Sequence, residues 1–214
     1  MDEDITIINT NTRNEKIKNF FVNNKKKLII LLSIIILLFL SYFAFGEIKK
    51  RSKVKLANKY NATSINFISG NKLNVENEMV KIIEARDKTY SPLALYFLID
   101  NNIIVSEKKI NRLFDILIND TKVDEEIKNL IIYKKALFNS DFETENNLLK
   151  ILNPVINSES IWKSHALYLL AEYFLSKNER HKSKEFFEKI LILENSNPNI
   201  KLEAQKRIQR DFSE

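Results

Sequence analysis

Residues 28–45 read LIILLSIIILLFLSYFAF, eighteen positions without one charge. At a rise of about 1.5 Å per residue, a helix of that length spans about 27 Å, close to the hydrocarbon thickness of a bilayer. No other stretch restricts the fold so strongly. Tyr42 and Phe43 fall near one interface, where aromatic side chains settle. Lys25 to Lys27 close one end and Lys49 to Arg51 the other. Ala44-Phe45-Gly46 has the small-residue spacing of a signal-peptide cleavage site. The apolar run, however, exceeds the usual signal core of roughly 7–15 residues, and the 27 residues before it are many for a signal peptide. An uncleaved anchor is therefore the expectation. Six Lys/Arg stand on each flank (residues 1–27 and 46–60), so the positive-inside rule gives no orientation. A short tail kept in the cytoplasm is the commoner arrangement.

Charge outside the flanks excludes a nucleic-acid reading. Residues 1–27 hold six basic and four acidic side chains; residues 46–60 hold six and one. Of the 34 basic and 28 acidic residues, 22 and 23 remain for the rest, a net charge of −1. A domain without excess positive charge has little with which to neutralise phosphates. The two basic clusters bracket the apolar run, where anionic lipid headgroups account for them. The chain has no cysteine, which removes disulfides, thiolate metal sites and thiol nucleophiles. It has two glycines, Gly46 and Gly70, too few and too far apart for a phosphate loop or a dinucleotide fingerprint. Few turn formers also disfavour an all-β fold.

From Glu47 onward apolar residues recur at helical spacing. Val54, Ala57, Asn61, Ile65 and Ile68 predict one stripe, on a helix that continues the anchor and breaks at Gly70-Asn71. Met79, Ile82, Ile83 and Arg86 predict a short second helix. Ser91-Pro92 reads as a helix start, and Ser106 as the cap of a helix with Ile110, Leu113, Phe114, Leu117 and Ile118. Thr121 to Asp124 resembles a capping box before Ile127, Leu130, Ile131, Lys134 and Phe138. Leu148, Leu149 and Leu152 mark a helix ended by Asn153-Pro154. The last pair is the clearest. Ser160 caps a helix with Leu167, Leu170, Ala171 and Phe174; a turn at Lys177 to His181 leads to Ser183, Phe187, Ile190 and Leu191. Asn178 suits the left-handed backbone of that turn.

This last pair reads Leu167-x₂-Leu170-Ala171-x₂-Phe174, then Ser183-x₃-Phe187, close to the tetratricopeptide pattern. A small residue at 171 lets two helices approach, and Phe187 fills the space between them. Ile99, Ala136 and Ala171 take equivalent places at spacings of 37 and 35 residues, near the repeat period of about 34. The register aligns Tyr96, Tyr133 and Tyr168, each three residues earlier. They are the candidate partner-binding residues of an inner groove; packing between helices is the other reading of the same stripe. The expected organisation is all-α: a tail (1–27), a transmembrane helix (28–45), a juxtamembrane helix (46–70) and a tetratricopeptide-like helical-repeat domain (71–214).

Four ordered stretches resemble one family. They are NEKIKNFFVNNKKKLI (14–29), RSKVKLANKYNATS (51–64), KTYSPLALYFL (88–98) and the repeat at 164–193. The chain is similar here to the ancillary SecYEG translocon subunit family, tetratricopeptide-like inner-membrane proteins of Gram-negative bacteria. It departs from the family's Ala-rich helix contacts, as at Ile99 and Asn111. The resemblance implies a cytoplasmic N-terminus, a periplasmic domain, association with the SecYEG translocon and a membrane-anchored periplasmic chaperone, and contact with exported polypeptides. Periplasmic tetratricopeptide scaffolds of cell division or envelope assembly are the alternative, and an enzyme with an unfamiliar active site is the alternative of another class.

No catalytic, cofactor or metal residues are expected. His165 and His181 are the only histidines, and two such residues without cysteine make a poor metal site. Asp124-Glu125-Glu126 suit the first turn of a helix, where the macrodipole favours them. Trp162, the only Trp, is either a binding anchor or a cover over the seam with the preceding helix pair. The topology has a direct check. A reporter fused after Glu214 should be active if it requires the periplasm and silent if it requires the cytoplasm; the reverse pattern inverts the orientation.

Overall fold

The computed structural model describes the backbone of residues 2–212 and the side chains of residues 13–212. The side chains of Asp2, Glu3 and Asp4, and the chain end at Glu214, lie outside those residues. Nine α-helices and a π-helical turn, with no strand, make up the described chain. The helices are α1 (Asp2–Ile68), α2 (Val75–Glu84), α3 (Tyr90–Asp100), α4 (Glu107–Asp115), α5 (Glu125–Asn139), α6 (Glu145–Ile156), α7 (Lys163–Ser176), α8 (Arg180–Ile192) and α9 (Pro198–Phe212); the π turn (Ile116–Asp120) extends α4. The chain divides into two compact units, residues 1–55 and 56–214.

The first unit is the greater part of α1. Its apolar run is wholly exposed, and α1 is the one described helix long and apolar enough to cross a membrane. Ile34 to Phe45 are exposed positions of the apolar run, and the helix satisfies its own backbone groups there, as a helix that crosses a membrane must.

The second unit begins at Leu56, so it takes in the end of the segment expected as a juxtamembrane helix. The stripe expected there is corrected. Ile65 and Ile68 are exposed, and the packed face is Leu56, Tyr60, Thr63 and Phe67. Aromatic contact decides between the two faces: Tyr60 and Phe67 meet the Phe97 ring edge-on, at 6.3 and 5.4 Å. Lys59 and Lys81 each donate to Glu78 at 2.8 Å, joining this end of α1 to α2. These bonds, Lys59's first, hold the Glu78 carboxyl at about 2.

Four helices end on a residue in the left-handed region: Gly70 (φ 89°) after α1, Arg86 (φ 56°) after α2, Asn102 (φ 51°) after α3 and Asn178 (φ 63°) after α7. After α1, α3 and α7 two backbone N–H groups fold back on the last turn. Ile103 N donates to Leu98 O at 2.9 Å and Asn102 N to Ile99 O at 3.0 Å; Glu179 N and Asn178 N do the same to Phe174 O and Leu175 O. This is the Schellman arrangement, and asparagine tolerates it because its side chain is short.

Several helix starts differ from expectation. Ser91 lies inside α3, where its Oγ donates to Ile82 O at 2.7 Å; the cap is Asp87, whose Oδ1 accepts from Thr89 and Tyr90 N. Thr121 donates to Ile116 O instead of capping α5. Pro154 sits inside α6, not at its end; near a C-terminus its missing N–H costs a single bond. Ser106 does cap α4, through Lys109 N. Ser160 accepts from Trp162 N one step before α7 and donates to Glu126 at 2.7 Å. The stripe expected on α5 holds only in part. Ile131 is buried and Phe138 packs on the first cluster, but Ile127 and Lys134 are exposed, and Asn129, Ile132, Ala136 and Asn139 are buried as well. The cause is an amide pair: Asn111 Nδ2 donates to Asn139 Oδ1 at 2.8 Å, and Asn139 Nδ2 returns the bond at 2.9 Å.

The core is a chain of three clusters. The first joins α2, α3, α4 and the π turn; the second α5, α6 and α7; the third α7, α8 and α9. Helix α9 was not foreseen. Asn197 caps it, Pro198 opens it, and Ile200, Ala204, Ile208 and Phe212 return every fourth residue to the third cluster. Leu167, Leu170, Ala171 and Phe174 are all buried, and Ala171 shares the third cluster with Phe187, both at 0% exposure. Ala171→Leu should therefore lower stability by about 1–3 kcal/mol through overpacking, read as a lower melting temperature. An unchanged melt would mean that α8 does not close on residue 171.

Candidate partner-binding surface

The three tyrosines lie on three different helices, and each is anchored in a different core cluster. Tyr96 of α3 packs on the first, Tyr133 of α5 on the second and Tyr168 of α7 on the third. All three are half-buried. Each ring thus has a face held by the protein and a remainder open to a partner.

Their surroundings differ. Lys134 Nζ stands 5.3 Å from the Tyr96 ring centre, a cation–π contact between α5 and α3. The Tyr96 hydroxyl is buried without a hydrogen-bond partner. Burial, with Asp100 nearby, pushes its phenol up to about 12. Tyr168 meets Phe187 edge-on at 5.4 Å. Burial, followed by the Glu172 carboxylate, pushes that phenol to about 12 as well. Burial alone raises Tyr133. All three rings therefore remain neutral phenols across the physiological range, apolar faces with a polar tip.

Direct aromatic contact joins two of them to larger groups: Tyr168 through Phe187 to Phe212, at 6.1 Å, and Tyr133 to Trp162 and His165. Tyr133 stacks on Trp162 at 6.0 Å and 19°, and meets His165 edge-on at 5.9 Å; Trp162 and His165 are 5.0 Å apart. Trp162 thereby covers the seam between α5 and α7. Burial lowers His165 from its ordinary value, opposed by a weaker hydrogen bond with the Ile161 backbone. His181 is exposed and pairs with Glu185 at 3.2 Å, far from any such setting. No group of three or more potential metal-ligating side chains occurs among the described residues. Glu126 of the acidic run at the start of α5 accepts from Ser160, so that run serves the fold.

No protein-family model, characterised protein or solved structure matches this chain. Assignment therefore rests on residues and geometry.

One feature escaped the sequence pattern. A groove of about 500 Å³ opens beside α7 and α8, lined by Ile156, Leu167, Phe186 and Leu193 together with Lys163, Lys189, Glu159 and Glu194. The signal for it was Phe186, adjacent to the expected core residue Phe187 and packed against both the second and third clusters.

The aromatic trio has a spectroscopic readout, because Trp162 is the only tryptophan. Protonated imidazole quenches indole emission, and His165 is the ring closest to Trp162. Emission should fall as pH drops through a midpoint below 6.5, since burial favours neutral His165 in the folded state. The same preference makes the fold less stable below that pH, where the unfolded chain takes up the proton more readily. His165→Asn should flatten the profile; an unaltered profile would separate His165 from Trp162.

Proposed function

We propose that this chain is a membrane-anchored protein-binding module that assists protein export at the SecYEG translocon. The observation that carries the reading is the pairing, in one chain, of a fully exposed apolar span with a helical unit that presents half-buried tyrosines on alternate helices. In this reading α3 with α4, α5 with α6, and α7 with α8 are tetratricopeptide-like pairs, and α9 closes the series. Tyr96, Tyr133 and Tyr168 line its inner face. Spacings of 37 and 35 residues support the repeat, as does the Ala171–Phe187 contact between α7 and α8.

Rigid, amphipathic tyrosine suits weak and varied contacts, because its large ring loses little entropy when held. Emerging exported polypeptides and a membrane-anchored periplasmic chaperone are the partners of that chemistry. The span holds the domain beside the channel, so that modest intrinsic affinity suffices at a high local concentration. The N-terminus is cytoplasmic and the domain periplasmic in this arrangement, within the bacterial inner membrane.

A photoreactive residue at Leu137, which is 45% exposed and one helical turn beyond Tyr133, tests the proposal in cells. Crosslinks to channel subunits, translocating chains and the chaperone are expected. Truncating Tyr96, Tyr133 and Tyr168 together to Ala should weaken them by about 1–2 kcal/mol per ring that acts as a hot spot. The variant must first be shown folded at the assay temperature. Crosslinks confined to cell-division proteins, or full crosslinking by the folded triple variant, would overturn the reading.

A further inference from the structure

Five basic residues follow the apolar run within ten positions: Lys49, Lys50, Arg51, Lys53 and Lys55. All five are exposed. Arg51 is paired with Glu47 at 2.8 Å, and the four lysines make no ion pair among the described residues. Helix α1 is unbroken through this stretch, which fixes where the charges stand. At roughly 100° per residue, Lys49 and Lys53 share one side of the helix. Lys50 lies about 100° round from Lys49, and Arg51 and Lys55 lie beyond the opposite side. The charges form a collar around the helix rather than a stripe along it.

A stripe would suit a helix lying flat on a surface with one face charged. A collar suits a helix that passes upright through a charged layer. The heights agree. Counted from Phe45, Lys49 is about 6 Å and Lys55 about 15 Å further along the axis. A headgroup layer is about 5–8 Å thick on each side, and screening extends attraction by about 8 Å more at physiological salt. The whole collar therefore lies within reach of lipid phosphates.

From this geometry we infer that the collar is a binding site for anionic phospholipid in the leaflet next to it, and gathers such lipid around the anchor. Charge complementarity and continuity with the apolar span select lipid over an acidic protein, because phospholipid phosphates encircle the helix at that height whereas a protein would meet one side of it. Each basic residue near an acidic membrane surface contributes about a fivefold preference. The four unpaired lysines should dominate.

The absence of native cysteine allows one label. Ser52→Cys, placed in the collar, carries an acceptor dye on the full chain in phosphatidylcholine vesicles. Energy transfer is compared between trace acyl-labelled phosphatidylglycerol and trace acyl-labelled phosphatidylcholine. The anionic probe should transfer several-fold more efficiently, with the excess lost on raising salt from about 0.05 to about 0.5 M. The excess should also vanish in K49Q/K50Q/K53Q/K55Q and survive in K25Q/K26Q/K27Q, which alters only the other flank. Millimolar inorganic phosphate should leave it unchanged, since a lone anion does not supply a surface. Equal transfer from both probes at low salt, or the same excess in the quadruple variant, would overturn the assignment and return the collar to an acidic protein partner. The partner-binding proposal is unaffected by either outcome, because none of its tyrosines enters this measurement.

Discussion

The chain has two glycines, one of them beside the apolar run, so the helices of the second unit must end largely on other residues. Every later contact depends on how those ends are made. Asn102 and Asn178 take the left-handed conformation that glycine would otherwise supply, and each directs the chain back along the helix it has just closed. For most residues that conformation costs about 1–2 kcal/mol. Asparagine bears less of this cost, and the recovered hydrogen bonds offset the remainder. At Asn102 the following residue is Ile103, which packs on the first cluster, so the turn is sealed by apolar contact as well.

Helices held at those angles bury their side chains in a relay. Ile118 packs against both the first and second clusters, and Ile156 and Phe186 against the second and third. On α5, Ile131 belongs to one cluster and Ile132 to the next. A helix between two cores must be apolar on two faces, and α7 shows the extreme, with eight of its fourteen residues buried. The reciprocal Asn111–Asn139 pair then sets how α4 lies on α5. Such a pair adds little net stability when complete, but removing one partner leaves a buried amide unsatisfied, at a cost of about 1–3 kcal/mol. The Asn111–Asn139 pair thus acts as a polar register pin between α4 and α5.

The same geometry explains what could be read from residues and what could not. The apolar span was legible because lipid demands an uninterrupted run. The buried set on α7, Leu167, Leu170, Ala171 and Phe174, was legible because its pattern is dense and its partner helix adjacent. Asn178 was legible because few residue types tolerate its backbone. The stripe on α1 was not, and that on α5 was legible only at Ile131 and Phe138. There the packed face is chosen by partners distant in sequence, Phe97 for Tyr60 and Phe67, and Asn111 for Asn139. Hydroxyl caps were misplaced for a related reason: Ser91 and Thr121 spend their side chains on carbonyls within the fold, where the same residues in isolation would cap. Helix α9 was missed although Asn197-Pro198 and the fourfold spacing of Ile200, Ala204 and Ile208 announce it. For the candidate surface, the stacking of Tyr133 on Trp162 and His165 was not readable, since it joins residues far apart in the sequence.

Charge and aromatic surface divide the work between the two ends of the molecule. Outside residues 1–27 and 46–60 the charges nearly cancel, at 22 basic against 23 acidic, and many are already committed to ion pairs such as Lys135–Asp115 and Arg207–Glu172. In the proposed reading, a partner that meets this unit finds little long-range attraction, so its contacts come from ring faces and the groove beside α7 and α8. Those interactions are short-ranged and insensitive to salt. The lysines that flank the span are the opposite case: exposed, mostly unpaired, and dependent on an electrostatic reach of about 8 Å. In the proposed arrangement, attachment to an acidic membrane surface and attachment to a polypeptide therefore respond to different conditions. Salt should weaken the first and leave the second, and truncation of the tyrosines should do the reverse, so each could be altered in the intact chain without disturbing the other.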